Sequence, residues 1–449
     1  MPAGKAAPLT RKRVLALTWP MIFANALIPL VGVIDTAVIS LAGKASDIGG
    51  VALGGTVFSV FYWSIYFLRM GVTGFTAQAL GAGKPRESMR VFARALLIAL
   101  VLGFLFMALK SPISRLAFEI LQGSAAVEAK GAAYVSARFW GLPAALGLFA
   151  ITGWLIGSGH TRSALVVQAV MALINGVLDS WFVLKLGWGP AGVAAGTAMA
   201  EWAAFILGMA LMLRNFSRYG PLHWQIFSLH RLFDPEALRY LFGVNFNLFL
   251  RSIFMVIGFN WFINAGARQG DVMLAANQVL FQFIIVWAFV LDAFAYTAEA
   301  ETGRAYGRGS IPDLRRAIRL TSEFAFAVAL AFSLLTLAGG GWVIERIIAD
   351  PQVRDMARAF LPFAAAVPAL GVASWQLDGI FTGATRSAAM RNASLASLLA
   401  YLAMNAWLSR DFGNAGVWSA FLSYYIARAL TLAMAYPALE RSIPRTSRS

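Results

Sequence analysis

The run VLALTWPMIFANALIPLVGVIDTAVISLA, residues 14–42, decides the fold class. Between Arg13 and Lys44 it holds one charged side chain, Asp35, in a segment that is otherwise apolar or weakly polar. The hydrocarbon core of a bilayer is about 30 Å thick and takes about 20 apolar residues to cross as a helix, so this run is long enough to span. At 1.5 Å per residue Asp35 stands about 14 Å from Lys44 and about 33 Å from Arg13, inside the span and toward its far end. A carboxylate in hydrocarbon is costly unless paired, solvated or protonated, which makes Asp35 a candidate ion or proton site. The alternative is an aspartate near a helix end that reaches the headgroups.

The same kind of segment recurs along all 449 residues, 59% of which are hydrophobic and 13% charged. With a mean hydropathy of +0.69, the composition calls for a polytopic membrane protein rather than soluble domains. The apolar runs are helical in length, whereas membrane strands are about ten residues with alternating polarity. Twelve spans are predicted, at 14–40, 51–80, 91–110, 131–158, 164–186, 191–213, 237–266, 273–300, 317–348, 356–383, 390–409 and 415–438. The expected fold is an all-α integral membrane protein with twelve transmembrane helices in two pseudo-symmetric six-helix bundles. The basic N-terminus precedes an apolar segment too long for a signal peptide, so that segment is read as the first span. The absence of cysteine excludes disulfides and thiolate metal sites. His160, His223 and His230 fall in or beside predicted loops and form no HExxH pair, so neither a metal nor a cofactor is expected.

A net charge of +16 raises nucleic acid as a partner, but its distribution is topological. Of the 37 lysines and arginines, 23 fall on the side of the termini and 10 on the other. Arg69, Arg138, Arg251 and Arg428 lie within spans. The positive-inside rule places both termini in the cytoplasm, and the expected partners are the bilayer and small molecules, not nucleic acid.

The chain also repeats. GHTRSA at 159–164 recurs as GATRSA at 383–388, and AGV at 191–193 recurs at 415–417, both with an offset of 224. GFTAQALGAG at 74–83 has a weaker echo in AYTAEAETGRAYG at 295–307. Each half carries six spans, so the halves are parallel repeats related by an axis along the membrane normal, an arrangement suited to alternating access. The division is an N-terminal lobe at 1–213, a cytoplasmic linker at 214–236 and a C-terminal lobe at 237–449. At that offset Asp35 falls on Phe259 and Asp179 on Ala403, so neither carboxylate has a counterpart.

In the fifth span, LINGVLDSWFVL, Asn175 and Asp179 share a helical face at a spacing of four. An amide beside a carboxylate suits a proton or a small cation, and Thr197 and Tyr134 are candidate hydroxyl donors to the same site. Pro20 and Pro29 interrupt the first span and permit a kink. That kink is either a hinge that responds to the charge of Asp35 or a static feature of packing.

The L-x-x-P ending at Pro20, with Asn25, Asp35-Thr36, the N-x-x-x-D pair and the duplicated G-x-T-R-S turns, resembles the multidrug and toxic compound extrusion (MATE) family. LDAFAYTAEAETG and LDGIFTGATRS resemble its bacterial DinF-like branch in particular. The resemblance covers about residues 10–438. It implies two six-helix lobes forming a V-shaped cleft, and cation-coupled efflux of amphipathic or cationic drugs across a bacterial inner membrane. The family's N-lobe cation site falls on Asp35, Asn175, Asp179 and Thr197, with Tyr134 nearby. The seventh span has Asn245, Asn247 and Asn260 but no acidic residue, which sets it apart from the NorM-like branch. Asp292, Asp378 and Asn260 are candidates for a substrate cavity, with structural hydrogen bonding the rival role for the two carboxylates.

The expected activity is antiport of drug against H⁺ by a monomer, with Na⁺ as the alternative ion. A flippase for lipid-linked saccharide is the second class, suggested by the four arginines within spans. No nucleophile–base set or cofactor loop accompanies the carboxylates, so an enzyme is not expected.

Overall fold

The computed structural model describes residues 8–121, 123–220 and 229–443, which are helical with no strand among them. The first-half helices are α1 (Arg11–Ala42), α2 (Ala45–Ile65), α3 (Phe67–Gly81), α4 (Pro85–Ala108), α5 (Lys110–Ile120), α6 (Ala125–Arg138), α7 (Leu142–Gly157), α8 (Thr161–Ser180) and α9 (Gly189–Phe216). The short α10 (Leu229–Leu232) precedes α11 (Pro235–Ala267), α12 (Asp271–Gly307), α13 (Ile311–Ile347), α14 (Pro351–Gly383) and α15 (Ser387–Arg441). Eleven helical runs among the described residues are long and apolar enough to cross a membrane. The last, of 55 residues, breaks at Gly413, whose φ of 54° and ψ of −132° no helix contains. Each of its two arms is itself long enough to cross, giving twelve candidate spans among the described residues.

The chain forms two compact units. Of the described residues, one holds those up to Thr18, Gly81–Gly83 and those from Tyr240 onward; the other holds Trp19–Leu80 and those between Lys84 and Arg239. A division at residue 213 does not describe this, because the start of α1 packs with second-half helices. Leu9 and Val14 bury against Ala317. Thr18 Oγ1 lies 2.8 Å from Thr297 Oγ1, Arg11 pairs with Glu323 at 2.9 Å, and Arg316 Nε donates to Leu9 O at 2.7 Å. Helix α1 therefore leaves one unit and enters the other at Thr18–Trp19. Within the stretch expected as a linker, residues 221–228 lie outside the described residues, and the rest up to Arg239 belongs to the unit of α2–α9.

Four helix-ending turns reveal the internal repeat. In each, a residue of positive φ follows the helix: Gly83 (71°), Gly159 (76°), Gly309 (69°) and Thr385 (53°). The next residue closes a six-residue Schellman ring, through Lys84 N→Ala79 O, His160 N→Leu155 O, Ser310 N→Ala305 O and Arg386 N→Phe381 O, at 2.8 to 3.2 Å. Gly83 and Gly309 differ by 226 in number, as do Gly159 and Thr385. Helix contacts keep the same step. A Cβ on Gly153 or Gly157 would sit 2.7 or 2.5 Å from the carbonyl oxygens of Arg69 and Thr73; on Gly379 or Gly383 it would sit 2.3 Å from those of Ala295 and Glu299.

The next matching pair, Gly189 (57°) and Gly413 (54°), is 224 apart. The first half thus holds two extra residues between these landmarks, and a π-helical segment, Trp181–Lys185, lies there. This revises the pairing read from GHTRSA and GATRSA: at a step of 226 the counterparts of Asp35, Asn175 and Asp179 are Trp261, Tyr401 and Asn405. The second half still has no carboxylate at these positions.

Candidate functional site

Within the unit of α2–α9, four helices bring together the polar residues expected there. Asp35 on α1, Asn175 and Asp179 on α8, Thr197 on α9 and Tyr134 on α6 are all buried, Asn175 and Asp179 completely. The four-residue spacing on α8 puts Asn175 one turn from Asp179, and its Nδ2 donates to Asp179 Oδ2 at 3.0 Å. The same amide nitrogen donates to Thr197 Oγ1 at 3.0 Å, while the Thr197 hydroxyl donates to Val193 O at 2.9 Å. Asn175 is thereby fixed in orientation by two acceptors. Asp35 lies close enough to Asp179 and Asn175 for both to act on its charge. Tyr134 lies close enough to feel the charge of both carboxylates.

What this group lacks is donors. Asp35 Oδ1, Asn175 Oδ1 and Asp179 Oδ1 are buried and accept no hydrogen bond from the described residues. Buried polar atoms are nearly always satisfied, so three unsatisfied acceptors on converging side chains need an explanation. A proton held between the carboxylates, or a small cation, supplies what the oxygens lack, and the donor set fits either.

A second polar group stands beside it. Arg138 on α6 and Glu201 on α9 form a two-pronged ion pair at 2.5 Å. The Tyr62 hydroxyl accepts from Arg138 Nη2 at 2.7 Å and donates to Glu201. Gly141 makes room for this: a Cβ there would lie 2.4 Å from Glu201 Oε2 and 2.7 Å from the Ala198 backbone. Arg138 acts electrostatically on both Asp35 and Asp179. Of the four arginines that the sequence places within spans, packing decides that Arg138 is the one that meets Glu201 and Tyr62. A guanidinium and a carboxylate both inside spans were the available signal.

The second unit has different chemistry. Asp378 pairs with Arg251 at 2.6 Å and with Arg428 at 2.7 Å, and Arg428 Nη1 donates to Tyr424 OH at 3.3 Å. This is the structural bonding that rivals a substrate role for Asp378. Asp292, half-buried on α12, acts on Tyr425, which Arg428 also influences. Asn260 is exposed, and its amide donates to Val256 O of its own helix at 2.8 Å. No bond among the described residues joins Asn260 to either carboxylate.

Comparison with known proteins agrees with this architecture. The MatE family model matches residues 20–181 and 247–407, one segment in each half of the chain. The chain is 34% identical to DNA damage-inducible protein F of Escherichia coli K12 over 417 residues, covering 93% of this chain and 90% of that one. It is 26% identical over 443 residues to a probable multidrug resistance protein NorM of Deinococcus radiodurans, covering 94% and 93%. Among solved structures, an outward-facing multidrug resistance MATE family transporter of the MOP superfamily superposes with a TM-score of 0.87, at 18% identity and 96% and 97% coverage. The last of these speaks to fold, and the family match together with the relative at 34% identity establishes that this multi-pass membrane protein belongs to the MATE family of transporters and is not an enzyme.

Proposed function

We propose that the protein is a secondary active antiporter exporting amphipathic or cationic compounds in exchange for H⁺. The observation that carries this reading is the set of three unsatisfied acceptor oxygens on Asp35, Asn175 and Asp179. The relatives named multidrug resistance proteins support the substrate class.

Two neighbouring buried carboxylates repel when both are charged, so a proton held by the pair removes that cost. Entry of a proton therefore changes how the end of α1 that carries Asp35 sits against α8. Pro20 and Pro29 interrupt the hydrogen-bond ladder of the same helix, and Pro20 lies one residue beyond Trp19, where α1 enters its second unit. Coupling requires that proton and cargo favour different conformations, because equal affinity for both shifts nothing. In this cycle the protein sits in the bacterial inner membrane as a monomer, with both termini cytoplasmic and no nucleic acid partner.

Sodium remains the second reading, favoured by one observation: Asn175 Oδ1 is an uncharged acceptor that a proton pair does not use and a Na⁺ shell does. The flippase reading loses support, because Arg138 is held by Glu201, and Arg251 and Arg428 share Asp378, in clusters that are almost fully buried. Drug transport in proteoliposomes, with proton and sodium gradients imposed independently, tests the assignment. Efflux driven by a pH gradient without sodium is expected. Dependence on sodium with indifference to pH overturns proton coupling.

A further inference from the structure

A groove of 480 Å³ opens on the outer side of the buried polar group, between α1 and α8 with its π-helical extension. Ile34 forms one wall, and Leu173, Val177, Trp181 and Leu184 form the other. Leu173, Val177 and Trp181 are more than half exposed, so the groove faces outward from its unit. Its size falls in the roughly 300–1,000 Å³ range of ligand pockets. Three of its lining residues, Ile34, Gly176 and Ser180, are chain neighbours of Asp35, Asn175 and Asp179.

The wall is apolar along its length and ends at Lys185, the one charged residue among the described residues that line it. From Ala172 to Lys185 the helix rises about 20 Å. One leaflet contributes about 15 Å of hydrocarbon, half of the roughly 30 Å core. The groove thus matches an acyl chain plus the start of a headgroup. Trp181 and Trp188 stand at the Lys185 end, both more than half exposed, and exposed tryptophans mark the membrane–water interface.

The π-helical segment makes this end of the groove. Trp181, Leu184 and Lys185 all belong to it, and it lies where the first half holds two residues that the second half lacks. Such segments appear mostly as single-turn bulges in α-helices, frequently at functional sites. Coupling through Asp35 and Asp179 accounts for the buried face of α8 and leaves this exposed face without a role.

We infer that the groove is a binding site for an anionic phospholipid, its acyl chain along Ile34, Leu173 and Val177 and its phosphate on Lys185. The bound chain touches α1 next to Asp35, so the lipid biases how that helix moves. The inference does not depend on which ion is coupled, and its failure leaves the efflux reading intact.

The test is native mass spectrometry of the full-length protein with phosphatidylglycerol or phosphatidylethanolamine of identical chains. A lysine near the membrane surface favours an anionic headgroup by about fivefold. That preference is expected in the unaltered protein and lost in Lys185→Gln. Val177→Trp, which fills the groove, is expected to lower retention of both lipids. In the unaltered protein, phosphatidylglycerol with a photoreactive acyl chain is expected to label peptides containing Ile34 or residues 172–185, which keeps the test independent of how the variants fold. Equal retention of the two lipids, labelling confined to other helices, or displacement of the label by a transported cation at lipid excess overturns the inference.

Discussion

Gly196 on α9 lies so close to Asp179 that a Cβ added to it would stand 2.1 Å from the carboxylate Oδ1. The carboxylate rests on bare backbone, and any side chain at position 196 must push it away from Asp35 and Asn175. Gly196→Ala is therefore expected to reduce proton-coupled efflux at least as far as a direct change to Asp179. Overpacking of this kind costs about 1–3 kcal/mol, so a lower melting temperature should accompany it. Wild-type transport rates in Gly196→Ala vesicles would remove the Asp179 geometry from the mechanism.

Asp35→Asn and Asp179→Asn should each abolish efflux driven by a pH gradient while leaving a monodisperse, folded protein. Each substitution keeps the shape and the hydrogen-bonding capacity but takes away the site that exchanges a proton. Binding of a fluorescent substrate is expected to persist in both and to lose its response to pH. Persistence of pH-driven transport in either variant would exclude that carboxylate.

The Arg138–Glu201 pair makes a prediction about stability. Removing one partner leaves a buried charge without compensation, at a cost of about 3–5 kcal/mol, whereas replacing both with apolar residues is often nearly neutral. Arg138→Met and Glu201→Met should each lower the melting temperature sharply, and the double variant should recover most of the loss. If the double variant is as unstable as the singles, the pair's contribution is not mainly electrostatic.

Asp378 should behave as a scaffold residue. Asp378→Ala leaves Arg251 and Arg428 facing one another and is expected to destabilise by about 3–5 kcal/mol. Material that remains folded should transport at near-normal rates. A stable Asp378→Ala protein with altered substrate preference would instead place this carboxylate against the cargo.

Pro20→Ala separates hinge from packing. The substitution restores a hydrogen bond in α1, so stability should hold or rise. Efflux should fall if α1 must bend at the point where it passes between units. Unchanged efflux would make the kink static.

Most of the membrane spans were legible, because apolar length is a property of each segment alone. Asp35, Asn175 and Asp179 were legible for a related reason: a carboxylate stands out against hydrocarbon, and a spacing of four fixes a helical face. The partners of Arg138 were not. Glu201 and Tyr62 sit 63 and 76 positions from it, and only packing determines which acid meets which guanidinium. The register of the repeat was misleading in an instructive way. GHTRSA and GATRSA align by identity at 224, yet the left-handed residue is Gly159 in one turn and Thr385 in the other. Backbone geometry, not side-chain identity, marks equivalent positions here. Nor did composition signal that α1 begins in one unit and continues in the other, since that follows from contacts of Leu9, Val14 and Thr18 with residues about three hundred positions away.

The π-helical segment has a consequence for how the two halves diverged. Gly159 and Thr385 keep the step of 226 while Gly189 and Gly413 fall at 224, so the difference in length is taken up between them and leaves the register of α8 ahead of it unchanged. The chain reaches α9, which carries Gly196 and Thr197, only through this stretch, so its length sets how those two residues come up to Asp179 and Asn175. Chimeras that vary the stretch one residue at a time, read by pH-driven efflux, measure how far the site depends on that approach.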